Sequence, residues 1–279
     1  MIGRRSLLAG ALGLAAVPAR AADDPEGLAL FGRAQQGGAL IGRTWPLATV
    51  FVDGEALTTA SREGWFLVGL DRDSAASVEL VVREGRSVAR RTVDVAPGAF
   101  PLRRIDGLPP STVEPQDPVL LERIAREVAL KTEGFASRTR DDAFRDGFDM
   151  PLASWRVSSE WGAQRILNGT PARPHYGIDL AAPMGSPIRA PANGLVTLAE
   201  RDLHFEGGLT LIDHGQGAIT AYLHQSRLDV AAGQRVARGQ TIGAVGMSGR
   251  ATGPHLCWRM RWRDRQMNPA LLVGRPAAI

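Results

Sequence analysis

His175 and Asp179 stand four residues apart in Arg173-Pro174-His175-Tyr176-Gly177-Ile178-Asp179, an imidazole and a carboxylate close enough along the chain to begin a zinc site. A helix would bring positions i and i+4 onto one face, but Gly177 and the following Leu180-Ala181-Ala182-Pro183 argue against one. A fully extended strand, rising roughly 3.3 Å per residue, would hold the two side chains about 13 Å apart, too far for one metal ion. The backbone therefore has to bend, and Gly177 is the residue that lets it. Further ligands or proton-handling groups must come from elsewhere in the chain.

Two later stretches offer them, Thr220-Ala221-Tyr222-Leu223-His224 and Gly253-Pro254-His255-Leu256-Cys257-Trp258. In a strand, His255 and Cys257 project from the same face about 7 Å apart, so one can bind a metal while its neighbour handles a proton. His214, in a strand-ending Asp-His-Gly, reads as structural, and His204 as a loop residue.

The ordered runs Ser158-Ser159-Glu160-Trp161-Gly162-Ala163-Gln164-Arg165, Pro174 to Asp179, Asp213-His214-Gly215, Tyr222-Leu223-His224 and Gly249-Arg250-Ala251-Thr252-Gly253-Pro254-His255-Leu256 resemble the lysostaphin/LytM-type zinc peptidases. The resemblance implies a groove-bearing antiparallel β fold, Zn2+ as cofactor, and cleavage of peptide bonds in bacterial peptidoglycan. It implies His175 and Asp179 as zinc ligands, His255 as general base, and His224 as the group that orients the attacking water or stabilises the oxyanion. The third ligand would end a His-x-His motif, and there this chain departs, carrying Cys257.

A thiolate is a legitimate zinc ligand. With His, Asp and thiolate the site is neutral where two histidines and one carboxylate would leave it at +1, so rate rather than fold should suffer. Other readings stand beside these: Cys257 as a small buried apolar residue, His224 and His255 as core histidines, His175 and Asp179 as a hydrogen-bonded surface turn. The rival function is a regulator that binds and activates other wall hydrolases.

The elements that must position these groups are mainly β. Short apolar segments at Ala48–Val52, Trp65–Leu70, Ser77–Val82 and Val88–Val95, separated by turn residues, predict a small β-sandwich-like domain over 22–107. Residues 108–148 form a linker, Leu108-Pro109-Pro110-Ser111, and a connecting helix that Asp117-Pro118 starts and that runs to about Thr132, with Val119, Leu120, Ile124 and Val128 at helical spacing. Residues 149–279 are again β-rich and hold every motif above.

The N-terminus has Arg4-Arg5 followed by an apolar run and Ala19-Arg20-Ala21, which predicts a 1–21 export signal of twin-arginine type and a periplasmic mature protein with no membrane attachment. Losing Arg4, Arg5 and Arg20 from 33 basic residues leaves 30 against 29 acidic ones, so the charge points to no nucleic-acid partner. The one cysteine excludes an internal disulfide.

Overall fold

The computed structural model describes residues 27–107 and 116–279; the expected export signal and the Leu108-Pro109-Pro110-Ser111 linker lie outside them. The first half is a run of eight strands: β1 (Ala29–Arg33), β2 (Ala39–Arg43), β3 (Thr49–Val52), β4 (Glu55–Thr59), β5 (Trp65–Gly69), β6 (Ser77–Glu84), β7 (Ser87–Asp94) and β8 (Leu102–Ile105). The first seven form a three-stranded sheet, β1-β2-β5, and a four-stranded sheet, β4-β3-β6-β7. Alternation explains the pairing: Val78, Leu80 and Val82 of β6 are buried together with Val50 and Val52 of β3, as a half-buried sheet requires.

After helix α1 (Pro118–Phe135) come β9 (Arg156–Ser159), β10 (Gln164–Leu167), β11 (Thr170–Pro171), β12 (Ile178–Ala181), β13 (Pro187–Arg189), β14 (Gly194–Leu203) and β15 (Gly207–Asp213). The chain finishes through β16 (Ala218–Gln225), β17 (Arg227–Leu228), β18 (Arg235–Val236), β19 (Thr241–Ala244), β20 (His255–Trp262) and β21 (Arg265–Met267). The large sheet runs β18-β14-β15-β16-β20-β12-β9, with β21 added to β20, and all its pairings are antiparallel.

Two observations tie the halves together. Strand β8 pairs in parallel with β10, and the N-terminal core is continuous with Ala218, Met260, Trp262, Met267 and Leu272 of the second half. At this seam Gly69 leaves no room for a side chain, because a Cβ there would stand 2.6 Å from Met267 Sδ.

Helix α1 starts as expected, with Asp117 Oδ1 accepting from the Val119 amide at 2.9 Å and Pro118 in the first turn. It then differs from its sequence reading. The apolar stripe is only partly covered: Leu120 and Ile124 are half-buried, while Val119 is 73% and Val128 50% exposed. The helix is also held by buried Glu127, which accepts from Arg123 Nε (2.7 Å) and the His204 amide (2.9 Å), and by Lys131 on Glu206 at 2.6 Å. Gly134, which would favour an earlier end, is retained because the helix lies on β14 and β15 there; a Cβ would meet Leu211 Cδ1 at 2.9 Å.

His214 is fully buried, with Nδ1 against the Asn193 carbonyl and Nε2 against Thr220 Oγ1, both at 2.7 Å. Burial pushes its pKa down to about 4. A folded pKa below the unfolded value near ~6.5 means that stability is complete above that value and drains away as pH falls toward about 4. Replacing His214 with Gln should flatten this acid slope, by ~3 kcal/mol at most between the two limits, measured as urea midpoints across pH. Trp262→Ala should cost about 3–5 kcal/mol, and, because both halves share one core, fluorescence and circular dichroism should report one coincident transition.

Candidate metal centre

Strands β12 and β20 are antiparallel neighbours in which Asp179 stands directly opposite Cys257. On β20 the alternation sends Leu256, Trp258, Met260 and Trp262 into fully buried positions and leaves His255, Cys257, Arg259 and Arg261 to the other face. His175 arrives from the loop before β12, which bends at Gly177. The bend was expected, but the reason for glycine is space: Gly177 is not among the positive-φ residues, and a Cβ on it would stand 2.5 Å from Cys257 Sγ.

The result is a buried cluster of three donors, His175, Asp179 and Cys257, whose ligand atoms all lie within 4.8 Å of one another. His175 Nε2 is 3.3 Å from Asp179 Oδ1 and 3.5 Å from Cys257 Sγ. Bonds of roughly 2.1 Å to N or O and 2.3 Å to S at tetrahedral angles require edges of about 3.4 and 3.6 Å, so these separations suit one ion. Asp179 Oδ1 is buried with no hydrogen-bond partner, an acceptor facing the His175 nitrogen. The donor set fits a divalent metal.

Electrostatics agree with that chemistry. Burial pushes the His175 pKa down, partly opposed by Asp179. Burial also opposes the charge on Asp179, but contacts with His175 and then His255 outweigh it and hold the carboxyl at about 2. Cys257 is pushed up to about 12 by burial, partly opposed by Arg259, whose Nε donates to Sγ at 3.4 Å. Ser159 Oγ lies 3.1 Å from His175 Nδ1 and fixes the ring so that Nε2 faces the cluster. Ser159 belongs to the first quoted motif, yet nothing in the sequence assigned it this contact.

The two remaining imidazoles lie beside the cluster. His255 Nε2 is 3.8 Å from Asp179 Oδ1, and the rings of His224 and His255 have centroids 4.7 Å apart. His255 Nδ1 is 2.8 Å from the Gly253 carbonyl and His224 Nδ1 is 2.8 Å from that of Ser248. A carbonyl only accepts, so each Nδ1 carries a proton, which leaves Nε2 as the ring nitrogen directed away from the backbone. Burial lowers the His224 pKa to about 4, which keeps that ring neutral.

A regular pleat would turn His224 toward Thr220 and Tyr222, away from Cys257. The register of β15 with β16 shifts between Gly208 and Thr210, and His224 adopts φ +66°. This bulge re-aims the side chain across to the His255 face, at a backbone cost of order ~1–3 kcal/mol. His204 is elsewhere, packed edge-on against Phe205 at 4.5 Å.

Comparison with known proteins covers the same segment. Residues 173–269 match Peptidase family M23. The chain is 39% identical over 117 residues to the peptidoglycan DD-endopeptidase ShyA of Vibrio cholerae, which is 42% of this chain and 27% of that protein. It is 40% identical over 126 residues to the DD-carboxypeptidase/endopeptidase Mpg of Neisseria meningitidis, 45% of this chain and 29% of that protein. It therefore spans under a third of the length of these relatives. A crystal structure of a Pseudomonas aeruginosa protein assigned to peptidase M23 superposes with a TM-score of 0.66 at 29% identity, covering 87% of this chain and 96% of that one, so the likeness reaches into the N-terminal sheets.

Gly177→Ala places a methyl group against the Cys257 sulfur. Metal affinity, read by competition with a chromophoric chelator, should fall at least tenfold, within the roughly 10–100-fold range seen when groups supporting a metal site are disturbed. Secondary structure should stay unchanged.

Proposed function

From residues 173–269, which form a peptidase family M23 domain of the lysostaphin/LytM type, we propose that the protein is a zinc metallo-endopeptidase, exported to the periplasm, that hydrolyses peptide cross-links of peptidoglycan. The observation that carries this reading is the three-donor cluster flanked by two imidazoles, His224 and His255, each held at Nδ1 by a backbone carbonyl. The peptidoglycan substrate is supported by the names of the relatives. Export rests on the sequence of residues 1–21; among the described residues no helix is long and apolar enough to cross a membrane.

His175, Asp179 and Cys257 would hold the ion. Bound there, zinc supplies Lewis acidity, polarising a peptide carbonyl and making water a stronger acid. His255 Nε2 accepts the proton of the attacking water and returns it to the leaving amine. His224, neutral and protonated on Nδ1, offers Nε2 as an acceptor, which suits holding that water in line better than donating to an oxyanion. Tyr222, Trp258 and Trp262 are fully buried and contribute to the core rather than to a substrate face.

One observation favours a second reading. The Cys257 thiol, whose burial outweighs the guanidinium on its sulfur, is a demanding ligand to ionise, as expected of an attenuated enzyme or a regulator of other wall hydrolases. Purified peptidoglycan incubated with the mature protein under reducing conditions, with zinc or with a chelator, separates these. The peptidase reading expects soluble muropeptides that disappear with the chelator, a kcat reduced by about 10²–10⁴ in His255→Ala, and faster release by Cys257→His. Folded, zinc-loaded protein that releases nothing in either the native or the Cys257→His form would sink it and leave the regulator.

A further inference from the structure

Next to the metal cluster lies a cavity of about 620 Å³. It runs between α1, whose Lys131 and Phe135 line one side, and the loop carrying His175. Five arginines line it: Arg165, Arg173, Arg250, Arg259 and Arg261. The lining includes one lysine and one carboxylate, Lys131 and Glu206, and these are spent on each other at 2.6 Å with both side chains largely buried. Basic side chains therefore outnumber acidic ones around this space, with Arg173 and Arg261 adding to the arginines beside the metal-ligand candidates.

This concentration follows from the fold. The face of β20 that presents His255 and Cys257 continues, two residues at a time, to Arg259 and Arg261. Arg259 touches Cys257 Sγ at 3.4 Å, and Arg165 Nη2 is 3.6 Å from Asp179 Oδ2, so the cavity begins at the metal-ligand candidates themselves. The guanidinium of Arg261 is stacked 4.6 Å over the Phe135 ring, and its buried Nε has no hydrogen-bond partner. The guanidinium of Arg250 lies 4.7 Å over Phe205. Burial first, then the mutual repulsion of Arg250 with Arg165 and Arg259, lowers the pKa of Arg250; burial likewise lowers those of Arg165 and Arg261. Like charges gathered in a partly dry cleft are unfavourable until an anion joins them.

We infer that this cavity is a carboxylate subsite that draws an acidic peptide alongside the metal cluster. Guanidinium forks match carboxylates in bidentate geometry, and several held on rigid strands and rings bind with little ordering cost. The inference deepens the peptidase reading, which names the ligand as a peptide, while the charge preference stands on the arginines alone.

Binding rather than turnover tests it, by isothermal titration of the full mature chain, both zinc-loaded and chelated. Four acetylated dipeptides serve as probes: Ala-Glu with both carboxylates free, Ala-Gln with only the C-terminal carboxylate, Ala-Glu amide with only the side-chain carboxylate, and the neutral Ala-Gln amide. The dianion should bind at least tenfold tighter than the neutral peptide, and less so at high salt. The two singly charged probes report which carboxylate is held. Arg261→Gln should weaken the dianion about tenfold, as expected for a lost charge-assisted hydrogen bond, and leave the neutral probe unaffected. Arg173→Gln, on an exposed position where folding is not at risk, should act in the same direction. Equal binding of dianion and neutral peptide, unchanged affinity in both variants, or no binding of any probe at millimolar concentration would overturn the inference. Charge-selective binding without peptidoglycan cleavage would overturn the enzyme and keep the subsite; cleavage without charge selectivity would do the reverse.

Discussion

The pairing of Asp179 with Cys257 across β12 and β20 is the contact on which the site depends. Directly opposed residues on antiparallel strands hold their Cβ atoms about 4.5–5.5 Å apart, close enough for two ligands of one ion without any loop having to order. A slip of one residue would turn Cys257 to the opposite face and bring Trp258 into its place. The register is pinned from behind by Leu180, Leu256, Trp258 and Tyr222, all fully buried in one cluster. Core packing on one side of the sheet thus sets donor geometry on the other.

The outer layer solves a different problem, keeping charged groups satisfied around a cluster that is itself buried. Helix α1 is fastened by Glu127, Lys131 and the close approach at Gly134, with Phe135 packed against Leu198 and its neighbours. Because Lys131 neutralises Glu206, the only carboxylate among the cavity-lining residues is removed from competition with an incoming anion. The ion pair that docks the helix therefore also shapes the potential of the groove.

Much of the fold could be read from periodicity. The segments expected at Ala48–Val52, Trp65–Leu70 and Ser77–Val82 lie on β3, β5 and β6, and the mainly β class follows from their alternation. Strands β1, β2 and β4 lie outside the expected segments; β1 and β2 each carry a glycine, which weakens a strand pattern. At the site, spacing along β20 was enough to put His255 and Cys257 on one face. The aim of His224 was not legible, because a bulge and a left-handed residue reverse what alternation predicts. Nor was the purpose of Gly177: clearance for a sulfur 80 residues downstream is a tertiary fact that no local pattern carries. The arginines at 259 and 261 were open to the same period-2 reading as Cys257. Composition hid them, because arginine is abundant throughout the chain.

Those arginines also bear on the substitution at the third ligand position. A divalent ion among one imidazole, one carboxylate and one thiolate makes a neutral group, which should polarise a carbonyl less than a site with net charge +1. Here the neutral group would not act alone. Arg259 donates to the sulfur and Arg165 stands against the carboxylate, so each proposed anionic ligand would have a guanidinium on its outer side. A hydrogen bond to a thiolate, or a cation against a carboxylate, would draw electron density away from an ion held there and restore part of the lost Lewis acidity. The same two contacts stabilise the ionised ligands against burial, which otherwise favours the neutral thiol. Cysteine at 257 and arginine at 259, two residues apart on one face of one strand, are therefore best understood as a unit.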